Sequence, residues 1–218
     1  MKILIVAATH FEVLPILEII GITEPTYALN IGKKPIHQHQ VDVLITGVGM
    51  VNTAMMLSKH NVAHYDMFIN AGVAGAFNKQ LQLGDVVQIT EDILSEMGAE
   101  DGEEFISYDQ LGLPGKHCFK NPNLLASTLT LPTAKGITVN TIHGNAVSIQ
   151  KIEALYQPDV ESMEGAAFFA TLENTTARYF QIRSISNYVE KRNKANWKME
   201  LAITQLNQCL IQIIQNWN

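Results

Sequence analysis

Short apolar, β-branched runs alternate with segments of helical periodicity along the whole chain, and this alternation restricts the fold more than any other feature. KILIVAA (Lys2–Ala8) predicts a buried strand, followed by an amphipathic helix from Phe11 to Ile20. VDVLITGVG (Val41–Gly49) predicts a second strand and MVNTAMMLSKH (Met50–His60) its helix. DMFINAGVAGAF (Asp66–Phe77) is a third strand running into a glycine turn. GDVVQITED (Gly84–Asp92), GITVNTI (Gly136–Ile142) and ARYFQIRSIS (Ala177–Ser186) complete the strands, with helices over Ile149–Tyr156, Glu164–Thr175 and Ala195–Asn216. Strand alternating with helix predicts an α/β fold: a single three-layer domain, residues 1–218, with a mixed, largely parallel central sheet flanked by helices. Glu96–Asn123, rich in Gly, Pro and acidic residues, is expected to be a long loop.

A chain of 218 residues with 47% hydrophobic and 17% charged residues can bury a real core. Its formal charge of −6 gives no general attraction to nucleic acid or anionic membranes. No segment approaches the roughly 20 apolar residues of a membrane helix, and the N-terminus lacks the pattern of a secretory signal. Cys118 and Cys209 have neither disulfide-framework nor zinc spacing, and His37 and His39 lack a nearby third ligand. The expectation is a cytoplasmic protein with no metal and no cofactor.

In sheets of this kind, ligands bind beyond the carboxyl ends of the strands. That rule selects Thr9–Glu12, Gly47–Gly49, Asn70–Gly75, Gly144–Ser148 and Ser186–Asn187. TGVGMVNTA (Thr46–Ala54) is an incomplete dinucleotide fingerprint, with Asn52 at its third position and no acid after the next strand. Its glycines serve a tight turn, or let backbone amides approach a sugar. Gly72 and Gly75 in NAGVAGAF suit either ligand approach or plain packing. In VESMEGAAFFAT, Glu164 is placed to accept from both hydroxyls of a ribose, and Met163 to lie beneath the sugar. An acid favoured by a helix N-terminus is the simpler alternative. There is no GxSxG elbow and no P-loop.

Taken together, MKILIVAATHFEV, GVG, NAGVAGAF with LGDVV, GNAVSI, VESMEGAA and RSISN resemble, in order, the nucleoside phosphorylase/nucleosidase superfamily. ESMEGAAFF followed by ISNYVEKRNKANWKMELAI resembles its futalosine hydrolase branch most closely. The resemblance implies a homodimeric hydrolase that breaks the N-glycosidic bond of a nucleoside and releases hypoxanthine, in menaquinone biosynthesis. A methylthioadenosine/S-adenosylhomocysteine nucleosidase, a purine nucleoside phosphorylase or a non-catalytic nucleotide-binding protein of the same fold are the alternatives.

By the same resemblance Glu12 activates the attacking water and Arg183 helps position it. Glu164 holds the 2′ and 3′ hydroxyls, Met163 packs against the ribose, and Gly72 and Val73 line the glycine turn. Val147 and Ser148 lie near the base. Related methylthioadenosine nucleosidases carry a serine where Val73 stands, so a hydroxyl contact to the water is missing. Three arginines, Arg178, Arg183 and Arg192, are few for phosphate binding, and the carboxylate of Glu12 repels phosphate; water is the better acceptor. Asn187, beside Ser186, stands where adenine-specific relatives have aspartate. Its amide offers a donor and an acceptor to N7 and O6 of a 6-oxopurine. Lys191, Arg192 and Lys194 are candidate partners for an anionic group on the 5′ side, and Tyr108 and Pro114 for closure of a neighbouring subunit's pocket.

Overall fold

The computed structural model describes residues 1–60, 64–121, 123–125 and 131–217. β1 (Lys2–Ala7) leads through a 3-10 turn at His10–Val13 into α1 (Leu14–Ile19). β2 (Leu29–Asn30), β3 (Gln40–Ile45), α2 (Met50–Lys59), β4 (Met67–Ala76) and β5 (Val86–Leu94) follow. Then come β6 (Gly98–Asp101), β7 (Glu104–Ser107), α3 (Tyr108–Leu111), β8 (Cys118–Lys120), β9 (Thr133–Thr138) and α4 (Ala146–Tyr156). β10 (Val160–Ser162), α5 (Gly165–Leu172), β11 (Arg178–Tyr188), a second 3-10 turn at Lys194–Asn196 and α6 (Met199–Asn216) complete the described elements.

The main sheet runs β10-β9-β5-β11-β4-β1-β3-β2, with β8 on β5. The pairs β1–β3, β1–β4, β4–β11, β5–β9 and β9–β10 are parallel, while β5–β11, β2–β3 and β5–β8 are antiparallel. β10 also pairs antiparallel with β4, so β4, β11, β5, β9 and β10 close on themselves at one end. Ile3 and Ile5 of β1 face α1 and α6, and Leu4 and Val6 face α2 and α5, as alternation on a strand buried from both sides requires. This is the mixed three-layer α/β architecture expected from the sequence.

Three differences from that expectation matter for function. β4 and β11 do not stop at their glycine and Ser-Asn segments: Asn70–Gly75 and Ser186–Asn187 lie inside paired strands. A register shift between Ile185 and Asn187 marks a bulge in β11, which a period-two pattern does not reveal. The described residues of the Glu96–Asn123 stretch do not form one loop but a β6–β7 hairpin turning at Gly102 (φ 64°), then α3 and β8. Alternating side chains in so short a hairpin leave little apolar signal. His37 sits in a turn at φ 55°, and buried His39 bonds through Nε2 to the Trp217 carbonyl oxygen at 3.0 Å.

The end of α5 that carries the VESMEG segment is fixed by a buried carboxylate. Asp92 Oδ1 accepts from Thr138 Oγ1 at 2.7 Å, Asp92 Oδ2 accepts from Gln181 Nε2 at 2.8 Å, and Thr138 Oγ1 accepts from the Ala166 N–H at 2.8 Å. A Cβ on Gly165 would lie 2.1 Å from both Asp92 Oδ2 and Gln181 Nε2, so only glycine fits above this group. Burial pushes the Asp92 carboxyl up to about 6, against the two hydrogen bonds that favour its ionised form.

A folded-state pKa above the ordinary value means that the native state binds more protons between the two, so stability falls as pH rises from about 4 to about 6 and then levels off. Asp92→Asn is expected to remove that slope. Rotation of the Gln181 amide would bring its unpartnered Oε1 to the new side-chain N–H. Thermal melting across this range should show the variant at least as stable as wild type at pH 7, by up to about 3 kcal/mol, with the difference vanishing near pH 4.

Candidate active site

Glu12 ends the first turn after β1 and folds back on it. Its Oε2 accepts from the Thr9 N–H at 3.0 Å and from Thr9 Oγ1 at 2.9 Å, the returning half of a capping box. Its Oε1 accepts from the Val73 N–H of β4 at 3.2 Å. Burial raises the Glu12 pKa, the nearby charge of Glu164 adds to the rise, and Thr9, Arg183 and the Val73 N–H oppose it. A carboxylate so placed is a stronger base than an exposed one.

Arg183 is fully buried on β11, opposite Gly72 of β4. Nη2 donates to Asn70 Oδ1 at 2.5 Å, Nε has no partner, and the side chain makes no salt bridge among the described residues. Its Nη1 and Glu12 Oε1 both come within 2.9 Å of the place where a Gly72 Cβ would stand. A buried guanidinium and a half-buried carboxylate thus face each other over a bare glycine without forming a salt bridge, in a gap that a side chain would fill. Gly72→Ala is expected to push them apart and lower kcat on the order of 10²-fold, with thermal melting little changed.

Glu164 caps α5, and its Oε1 accepts from the Gly49 N–H at 2.9 Å. Gly49 (φ 101°) and Gly47 (φ 86°) take conformations that side chains avoid, so the glycine pair of TGVG serves to aim this N–H. Met163, half-buried, lies between β10 and this cap. Asn145 caps α4 by accepting from the N–H groups of Val147 and Ser148 at 2.9 and 3.3 Å, so those amides are already engaged. Val147 presents its side chain to solvent.

Three residues beyond Gly72, Gly75 is paired on both sides, with Glu161 of β10 and with Asn187 of β11. The bulge puts Asn187, not Ser186, opposite this glycine. A Cβ there would sit 3.2 Å from Asn187 Nδ2 and 3.6 Å from Glu161 Cγ. Asn187 Oδ1 accepts from Ser186 Oγ at 2.8 Å and Nδ2 donates to the Tyr188 carbonyl oxygen at 3.0 Å, which orients the amide. Arg192 is exposed, with its guanidinium 5.7 Å from the Trp197 ring, and it lines a small cleft together with Asn187 and Glu161.

Thus Glu12, Arg183, Gly72 and Val73 form one cluster. Glu164 lies within electrostatic reach of Glu12, and Ser186 and Asn187 come in along β11. Tyr108 is instead buried in its own chain, stacked on His117 at 4.6 Å and bonded to the Pro114 carbonyl oxygen. Asn70 falls in a stretch that the strand-end rule selects but has no role assigned there, and nothing in the sequence pairs Glu161 with His143, whose Nδ1 lies 2.6 Å from Glu161 Oε2. No spacing in the chain links residues that only the sheet brings together.

The sequence profile of the phosphorylase superfamily matches residues 2–215. The chain belongs to the phosphorylase superfamily. Among its relatives in that superfamily, a futalosine hydrolase from Thermus thermophilus is 27% identical over 179 residues, covering 78% of this chain and 80% of that one. A second futalosine hydrolase, from Acidothermus cellulolyticus, is 26% identical over 83% of this chain and 78% of its own. Among solved structures, a futalosine hydrolase of Helicobacter pylori aligns with a TM-score of 0.83 over 99% of this chain and 98% of that chain, at 16% identity. At that identity the likeness shows the fold alone. No helix among the described residues of this superfamily member is long and apolar enough to cross a membrane.

Proposed function

We propose that the protein hydrolyses the N-glycosidic bond of futalosine, releasing hypoxanthine and dehypoxanthine futalosine. The observation that carries this reading is the meeting of Glu12 and Arg183 over Gly72, with Glu164 near enough to raise the Glu12 pKa. Breaking the bond between C1′ and N9 leaves an oxocarbenium-like sugar, which carboxylates stabilise and water must attack. Glu12 takes the proton of that water, and Arg183 orients it. Glu164 accepts from the ribose hydroxyls, against which Met163 packs, while Val147 and Ser148 flank the base.

Water as acceptor is supported by the arginines. Arg178 stacks 5.4 Å from the Trp217 ring at the opening end of β11, and Arg192 is exposed, which leaves Arg183 as the arginine at Glu12. A lone guanidinium beside a carboxylate is a poor phosphate site. The choice of base is supported by Asn187, whose amide pairs with a 6-oxopurine edge where an ionised carboxylate would meet O6 as two acceptors. The three futalosine hydrolase relatives point the same way. A homodimer acting in the cytoplasm, on the route to menaquinone, completes the proposal.

The test is base release from futalosine, inosine and methylthioadenosine by the purified protein. Hypoxanthine from futalosine should dominate; adenine from methylthioadenosine as the main product would refute the assignment of substrate.

A further inference from the structure

The departing purine needs a proton, and the side-chain amide of Asn187 has none to give. We propose that the His143–Glu161 pair supplies it, an inference that rests on Asn187 marking the base end of the site. Glu161 is buried and lies beside Asn187 at Gly75, from the opposite neighbouring strand. Its carboxylate is held by His143 twice. Oε1 accepts from the His143 N–H at 3.1 Å, and Oε2 lies 2.6 Å from the ring Nδ1.

With Nδ1–H donating to this carboxylate, Nε2 is the ring atom left to hold or release a proton. The hydrogen bonds that His143 makes among the described residues run through its backbone N–H and Nδ1, not through Nε2. Phe77, edge-on with ring centroids 6.0 Å apart, packs against the imidazole. His143, Glu161 and Asn187 line one cleft.

The other ionisable groups there do not suit the task. Glu190 is exposed and accepts from Asn196 Nδ2 at 3.1 Å, Lys191 and Arg192 are exposed cations, and the Tyr188 hydroxyl donates to the Leu81 carbonyl oxygen at 3.0 Å. An imidazole exchanges protons near neutral pH, and a buried carboxylate on Nδ1 fixes both its tautomer and its direction. In the proposed step the C1′–N9 bond breaks and its electron pair enters the purine. The proton on His143 Nε2 passes to N7, while water gives its oxygen to C1′ and its proton to Glu12. His143 then regains a proton from solvent, and Glu12 loses one to it.

His143→Asn and Glu161→Gln test the proposal, compared on inosine and on 7-methylinosine, whose cationic base leaves without a proton. Both variants should lose about 100-fold or more in kcat on inosine and less than about threefold on 7-methylinosine. His143→Asn keeps an N–H able to reach Glu161, so its fold should survive, and thermal melting checks this. An equal loss on both substrates would make the pair merely structural and overturn the proposal, as would no loss on either. If the wild-type protein cleaves adenine nucleosides and not inosine or futalosine, the substrate assignment fails instead. The same comparison on adenosine and 7-methyladenosine then decides the role of His143.

Discussion

Glu12→Gln is expected to lower kcat for base release by about 10³-fold, within the range that general base catalysis contributes. Glutamine keeps the length of the side chain, and its carbonyl oxygen still accepts from Thr9 or from the Val73 N–H. What it loses is the ability to take a proton from water. KM should therefore change little, and isothermal titration with substrate should show binding within a few-fold of wild type. The buried environment sharpens the expectation. Burial and the charge of Glu164 raise the Glu12 pKa, so the wild-type carboxylate is a better base than an exposed one, and its loss costs correspondingly more. Near-normal turnover by the variant would remove Glu12 from the chemistry.

Asn187→Asp is expected to reverse base preference by about 10²-fold or more in kcat/KM, because mismatched polar edges in a buried site are costly. The bulge in β11 and the bond from Ser186 Oγ hold this side chain opposite Gly75, so the new carboxylate should occupy the place of the amide. Facing O6 it repels; facing a 6-amino group it accepts. Competition between inosine and adenosine, read by release of hypoxanthine against adenine, measures the switch. An unchanged preference for the 6-oxopurine would show that another group reads the base.

The layers of the fold were legible in the sequence because β1, β3, β4, β5 and β11 are apolar enough to be buried on both faces. Glu12 stood out as an acid just after the first of these runs, while Arg183 and Asn187 lie within the last of them and took their proposed roles from the family resemblance. The rest was hidden for specific reasons. A strand of three residues such as β10 has too few positions for a period, yet it closes the sheet and carries Glu161 to Gly75. The β11 bulge adds one residue without changing composition, and this alone decides whether Ser186 or Asn187 meets Gly75. Asp92 read as the polar end of a strand. It is instead the buried anchor beneath Gly165, and nothing local distinguishes the two.

In the proposed reaction Glu12 directs water, not phosphate, at the anomeric carbon. Turnover of futalosine in water enriched in oxygen-18 tests it most directly, with the products weighed by mass spectrometry. The expected result is hypoxanthine and a sugar product bearing the heavy oxygen at C1′, at a rate unchanged when phosphate is added. Formation of a sugar 1-phosphate, with no turnover until phosphate is present, would contradict it.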